Sequence, residues 1–303
     1  MKRVIACDLG SNTLRIVQIE CTTLVREKEF ERIVRTAKDL HVTKCIGEEA
    51  QEAIINALHE ACALFDFKNI STTCVTTEAM RQANNAEVFL NKLKKMFGLS
   101  FEIISGEKEA MYTQLGVESA LKRLGYQACE YLLMDLGGGS MELTCKTNTQ
   151  NFTQSFPLGI VTVAERYKSM DAIKEGVHVE LGQLASFLAH LPPYNHLKFV
   201  VTAGTPTTVA AFLQGMTYQA YDHQKITGSE LTCKAYETAL DRLLMMDECA
   251  RTQWVGVGRS DLIVAGIIIV LEVMRYFGHK KSLVIDDGLR EGVAISKCNI
   301  LEK

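Results

Sequence analysis

The sequence lacks the features that would tie it to a membrane, to nucleic acid or to an oxidising compartment. Its most apolar run, Leu262 to Met274, is interrupted by Glu272 and is shorter than the roughly 20 residues that span a bilayer, so a buried helix is expected there. The N-terminal stretch MKRVIACDLG has only Val4 to Cys7 as an apolar segment before Asp8. A secretory leader needs a longer one, and none is expected. The net charge is −3, so no basic surface for nucleic acid is implied, and phosphate-rich ligands must be met by local donors and a metal. There is no low-complexity tract and there are only 4 prolines.

Ten cysteines, at positions 7, 21, 45, 62, 74, 129, 145, 233, 249 and 298, include no C-x-x-C pair. Cys7, Cys74 and Cys129 sit in apolar runs, where a free thiol acts as a small hydrophobe. Unpaired thiols in this number fit a reducing, cytoplasmic setting. The 7 histidines (41, 59, 178, 190, 196, 223 and 279) show no metal-ligand spacing and receive no catalytic or metal role.

What is present is an alternation of strands and helices of ordinary globular composition, 47% hydrophobic and 23% charged over 303 residues. Strands are expected at 3–7, 13–20, 70–75, 101–104, 130–135, 141–145, 198–202 and 282–286. Helices are expected at 48–64, 86–96, 107–124, within 160–189, from near Thr207, and from Leu289. One pattern occurs twice. Asp8-Leu9-Gly10-Ser11-Asn12-Thr13 and Asp135-Leu136-Gly137-Gly138-Gly139-Ser140 each end an apolar strand with Asp, continue Leu-Gly, and turn straight back into a strand. Two α/β domains are therefore expected, 1–124 and 125–303, each opening with a hairpin whose turn faces a shared cleft. The final helix is allowed to return to the first domain.

Such turns suit phosphate chemistry. Glycine lets a ligand approach the main chain closely, successive N–H groups can converge on an anion, and an Asp beside them can hold Mg²⁺, which prefers oxygen ligands completed by water and phosphate. Gly10, Ser11, Asn12, Gly137, Gly138, Gly139 and Ser140 are the resulting phosphate-binding candidates, with Asp8 and Asp135 as metal ligands. A plain hairpin turn explains one such sequence equally well; two copies at matching strand ends favour the functional reading.

These turns resemble those of the exopolyphosphatase/guanosine pentaphosphatase family, within the sugar-kinase, heat-shock chaperone and actin superfamily. Further segments resemble the same family in order: Thr77-Glu78-Ala79-Met80-Arg81-Gln82-Ala83-Asn84-Asn85, Ile103-Ile104-Ser105-Gly106-Glu107-Lys108-Glu109-Ala110, Ala203-Gly204-Thr205-Pro206 and Gly288-Leu289-Arg290-Glu291-Gly292. The resemblance runs from residue 4 to 293 and implies two actin-like (ribonuclease H-like) domains flanking a cleft. It also implies a general base at Glu109, a phosphate clamp at Arg81, phosphate or nucleoside contacts at Gly204 and Thr205, and a further metal or water ligand at Glu142. Chemically, a partly buried carboxylate suits a base and a guanidinium fork suits phosphate. An ordinary helix-start glutamate and a surface arginine are the plain alternatives.

Two positions depart from the family pattern. Lys108 stands where a second acid is usual, and Thr227 where a histidine is usual. The short, two-domain form implies short polyphosphate or guanosine pentaphosphate as substrate, with Mg²⁺ (or Mn²⁺) as cofactor. Nucleic acid and membrane partners are not expected, and a homodimer is left open. Three other readings remain at this stage: an ATP-dependent kinase on the same superfold, a non-catalytic regulator binding guanosine tetraphosphate, and a plain ATPase.

Overall fold

The computed structural model describes residues 2–126 and 130–301; Cys129 lies outside them. The chain forms two compact units, residues 1–116 with 288–303, and residues 117–287. The boundary falls inside one helix, Gly106–Arg123, and the last helix, Leu289–Leu301, belongs to the first unit.

The first unit is built on β1 (Arg3–Leu9), β2 (Thr13–Glu20), β3 (Val25–Ile33), β4 (Ser71–Thr76) and β5 (Phe101–Ile103), in the sheet order β3-β2-β1-β4-β5. β1 to β3 form an antiparallel meander, and β4 and β5 run parallel to β1. β1 is buried from Val4 to Asp8, as a strand covered on both faces must be, and reads as a continuous apolar run. Its cover on one side is the final helix, whose Leu289, Val293, Ala294 and Cys298 join Val4, Ala6, Val17, Ile19 and Val75 in one core. Gly292 lets the same helix approach helix Gly106–Arg123, since a Cβ there would lie 1.7 Å from the Tyr112 carbonyl oxygen.

β3 is a strand that hydrophobic periodicity does not indicate. Its sequence VREKEFERI buries only Phe30, and it holds its edge position by cross-strand charge pairs, Arg3–Glu27 at 2.7 Å and Arg15–Glu31 at 2.8 Å. An edge strand dressed in charge resists pairing with a second chain.

The second unit repeats the plan with β6 (Tyr131–Leu136), β7 (Met141–Lys146), β8 (Asn151–Phe156), β9 (Lys198–Thr202), β10 (Glu230–Thr232) and β11 (Lys281–Val284), ordered β10-β11-β9-β6-β7-β8. The β6–β7–β8 meander is antiparallel and β9 and β11 are parallel, so β8-β7-β6-β9-β11 reproduces the order of the first sheet. Helix Leu262–Tyr276 forms the centre of its core, with Ala265, Ile267, Ile269, Val270, Val273 and Met274 fully buried. Each of the larger side chains among these, from valine to methionine, contributes roughly 1.5–3 kcal/mol. Among the described residues no helix is long and apolar enough to cross a membrane.

Two expectations are corrected. Cys21 and Cys298 are bonded to each other, with Cα atoms 5.2 Å apart; partners separated by 277 residues have no spacing signature in the sequence. The helix expected from near Thr207 begins at Gly204, because Ala203 adopts a left-handed φ of 78° and turns the chain directly out of β9.

Candidate active site

Parallel strands present their carboxyl ends on one edge of a sheet, which is where open α/β sheets bind ligands. In the first unit the relevant ends are those of β1, β4 and β5. Asp8 is the last residue but one of β1, Thr77 follows β4 and opens helix Glu78–Gln82, and Ser105 follows β5 ahead of helix Gly106–Arg123. Thr76 Oγ1 donates to the Leu9 carbonyl at 2.7 Å, and the Ile104 N–H to the Thr76 carbonyl at 3.0 Å, so the three strand ends are stitched together.

The glycine turn after Asp8 is closed by the Gly10 N–H donating to the Thr13 carbonyl at 2.9 Å. The carbonyl of Ser11 accepts from Ala37, and that of Asn12 from Val34 and Arg35, at 2.8–3.0 Å. Since a trans peptide sets its N–H opposite its C=O, holding the Ser11 carbonyl on Ala37 aims the Asn12 N–H the other way. Ser11 and Asn12 are buried, and Asn12 Oδ1 has no hydrogen-bond partner.

Glu109 is buried, 8% exposed, in the first turn of helix Gly106–Arg123. Arg81, from helix Glu78–Gln82, grips it end-on: Nη1 and Nη2 donate to Glu109 Oε2 at 3.0 and 3.1 Å. The same guanidinium donates through Nε to Glu78 Oε2 at 2.8 Å and through Nη1 to the Ile104 carbonyl at 2.5 Å. Burial works against the Arg81 charge, but the carboxylates of Glu109 and Glu78 outweigh it and raise the guanidinium pKa. Arg81 thus lies on Glu109 itself. Glu78 completes the trio and carries no sequence signal of its own. Lys108 is turned aside, with Nζ on Glu102 Oε1 at 2.5 Å and over the Tyr112 ring.

The second unit carries the same turn with different chemistry. The Gly137 N–H donates to the Ser140 carbonyl at 2.9 Å, matching the first turn. The carbonyls of Gly137 and Gly138 accept from Ile160 and Val161, at 3.1 and 2.8 Å, at the start of helix Ile160–Arg166. By the same trans-peptide geometry the Gly138 and Gly139 N–H groups face away from that helix, as an anion nest requires. Gly159 lets the helix come this close: a Cβ on it would lie 2.3 Å from the Gly138 oxygen.

Register sets Glu142 directly opposite Asp135 across β6 and β7, on the same face. Glu142 is 2% exposed and accepts from Ser155 Oγ at 2.7 Å. Two acids facing each other across a ladder are unfavourable without a cation, and two carboxylates with water and phosphate oxygens are a donor set that fits Mg²⁺. Asp8 has Arg15 opposite it instead. Among the described residues no group of three or more His, Cys, Asp or Glu is gathered for a metal.

Gly204 and Thr205 form the first turn of helix Gly204–Leu213, whose N–H groups have no intrahelical acceptors. The Thr205 side chain is buried against Gly266, where a Cβ would lie 2.2 Å from its Oγ1, so any ligand contact there is through main chain. Thr227, at the histidine position, accepts from the Asp286 N–H at 3.2 Å, and Tyr221 donates to Asp286.

A duplicated sheet of this order, with an Asp-Leu-Gly hairpin turn opening each copy, defines an actin-like fold with phosphate-type turns. A sequence profile of the Ppx/GppA phosphatase family matches residues 14–300, and the chain belongs to that family. Exopolyphosphatase 2 of Mycobacterium tuberculosis is 26% identical over 98% of both chains. A bifunctional 3-dehydroquinate synthase/phosphatase of Fusobacterium nucleatum is 27% identical over 89% of this chain but only 43% of its own length. In structure, the Ppx/GppA family member of Aquifex aeolicus matches 100% of this chain and 99% of its own at 30% identity, with a TM-score of 0.77.

Proposed function

We propose that the protein hydrolyses the terminal phosphoanhydride of short polyphosphate or guanosine pentaphosphate. The observation that carries this reading is Glu109, a buried carboxylate at a parallel-strand edge, held at a fixed position by an arginine. Water attack on a phosphoryl group passes through a loose transition state, so positioning and electrostatics do most of the work. Glu109 orients the attacking water and accepts its proton. In the first unit the glycine-turn N–H groups, and in the second unit those of its own glycine turn and of the start of helix Gly204–Leu213, are the donor sets suited to phosphate oxygens. Asp135 and Glu142, with Asp8 as a further candidate, would hold Mg²⁺ or Mn²⁺, which supplies charge neutralisation at the phosphate when bound.

Lys108 pairs with Glu102, and a non-catalytic regulator that binds guanosine tetraphosphate is the alternative the same assay separates. Orthophosphate release is to be measured from short polyphosphate, guanosine pentaphosphate and ATP with Mg²⁺, for the native protein and Glu109→Ala. The proposal requires release from one of the first two, lost in Glu109→Ala while ligand binding persists. Release from none of them, with guanosine tetraphosphate bound tightly by both proteins, refutes it.

A further inference from the structure

A guanidinium has five N–H donors, and every one on Arg81 is committed within the first unit. Nε–H goes to Glu78 Oε2 at 2.8 Å. Nη2 lies 2.7 Å from the same Glu78 oxygen and 3.1 Å from Glu109 Oε2. Nη1 donates to Glu109 Oε2 at 3.0 Å and to the Ile104 carbonyl at 2.5 Å. No donor remains for a phosphate oxygen. The two carboxylates are not equivalent. Glu78 takes the Nε side of the fork from within the same short helix, three residues away. Glu109 comes from a different helix and takes the terminal edge, the one that matches a phosphoryl group bidentately.

The geometry points to a ligand-operated latch, in which a phosphoryl group displaces Glu109 from the terminal edge of Arg81 while Glu78 keeps the guanidinium in place. The inference rests on the phosphatase reading and deepens it: without substrate the base is clamped and inactive, and the substrate's own terminal phosphate releases it. Arg81 is then a phosphate ligand only in the bound state, and Glu78 is a positioning residue. A phosphate with close to two negative charges competes well for the fork against a single carboxylate. Lys108, beside Glu109 on the same helix, is occupied by Glu102 on β5 and offers no substitute cation.

Competition of this kind has a reciprocal signature, because whatever phosphate must displace weakens phosphate binding by the same factor. Removing the Glu109 charge therefore tightens binding of inorganic phosphate, whereas removing an ordinary positioning residue weakens it. The test is calorimetric titration with inorganic phosphate of the native protein, Glu109→Gln, Arg81→Gln and the double variant. Glu109→Gln is expected to bind phosphate several-fold to tenfold tighter, with the gain absent in the Arg81→Gln background. Glu78→Gln, which leaves the terminal edge clamped, does not give the gain.

Equal or weaker binding by Glu109→Gln overturns the latch. So does a gain that survives in Arg81→Gln, since that would be simple relief of charge repulsion. If Glu109→Gln does not fold, Glu109→Asp, one methylene shorter, is expected to show the same tightening at smaller size, and its absence there counts equally against the latch. Native protein that neither binds phosphate nor releases it from any substrate removes the phosphatase reading itself. Native protein that does both, without the Arg81-dependent gain, removes only the latch.

Discussion

Gly159→Ala isolates the support beneath the second glycine turn. The backbone there has φ −103° and ψ 158°, which alanine adopts freely, so the consequence is purely steric. The new Cβ would lie 2.3 Å from the Gly138 oxygen and 2.3 Å from the Gly139 carbonyl carbon. Both are main-chain atoms that cannot swing aside. Restoring a normal contact moves helix Ile160–Arg166 and the turn apart by about 1 Å, since carbon atoms pack at roughly 3.5 Å. That strains the bonds from Ile160 to Gly137 and from Val161 to Gly138, now 3.1 and 2.8 Å. Overpacking costs about 1–3 kcal/mol and each of the two hydrogen bonds about 0.5–1.5, so a loss of roughly 2–6 kcal/mol is expected. The turn also loses the constraint that orients its N–H groups, and an ångström of misplacement costs on the order of 10²-fold in turnover. Urea unfolding and phosphate release from short polyphosphate measure the two effects. The control is Gly182→Ala, where φ is −56° and nothing lies within 4 Å; it is expected to be neutral or stabilising by about 0.4–1 kcal/mol. Native stability and native turnover in Gly159→Ala would refute the claim that helix Ile160–Arg166 holds the turn.

Two further outcomes follow from the first unit. Reduction of Cys21–Cys298, or Cys21→Ser with Cys298→Ala, frees the final helix from β2 and is expected to lower stability by about 2–5 kcal/mol, read as a shift of the urea midpoint. Glu20 accepts from the Thr23 hydroxyl and from the Thr22 and Thr23 N–H groups, which brings its pKa down to about 2. The native state therefore stays unprotonated where the unfolded chain already binds a proton. The stability Glu20 supplies is complete above about pH 5 and is lost as pH falls toward 2; in Glu20→Gln the unfolding midpoint should show a shallower acid dependence over that window.

The elements legible in the sequence are those where burial leaves an unambiguous period. Thr13–Glu20, Glu48–Leu64 and Lys198–Thr202 have the bounds that their patterns indicate. β3 and β8 are illegible for a physical reason: both are sheet edges, and VREKEFERI and NFTQSF bury almost nothing, so hydrophobicity does not encode them. Their positions are set by pairing, which no local window contains. The start of helix Gly204–Leu213 depends on a positive φ at Ala203, a conformation that alanine does not announce. In the site, the two Asp-Leu-Gly turns were legible because they occur twice, and they share the same closing hydrogen bond. Arg81 and Glu109 were legible by resemblance, but their contact across 28 residues, and the part of Glu78 in it, appear only in three dimensions.

The duplication also shows where the halves diverged, and that divergence carries a last prediction. Register places Arg15 opposite Asp8 and Glu142 opposite Asp135, so the same strand position is cationic in one copy and anionic in the other. Arg15 is in turn committed to Glu31 at 2.8 Å. A glutamate in place of an arginine opposite the strand-end aspartate makes the second copy the more anionic of the two, and closely placed carboxylates favour a bound cation. Metal dependence should therefore reside mainly in the second unit. Glu142→Gln is expected to raise the Mg²⁺ concentration for half-maximal phosphate release by tenfold or more, the usual scale for loss of a metal-site group. Arg15→Gln should leave that concentration within about twofold while affecting stability by no more than the ~1 kcal/mol of a partly exposed pair. Equal Mg²⁺ dependence in Glu142→Gln and the native protein would mean that the cation is bound elsewhere.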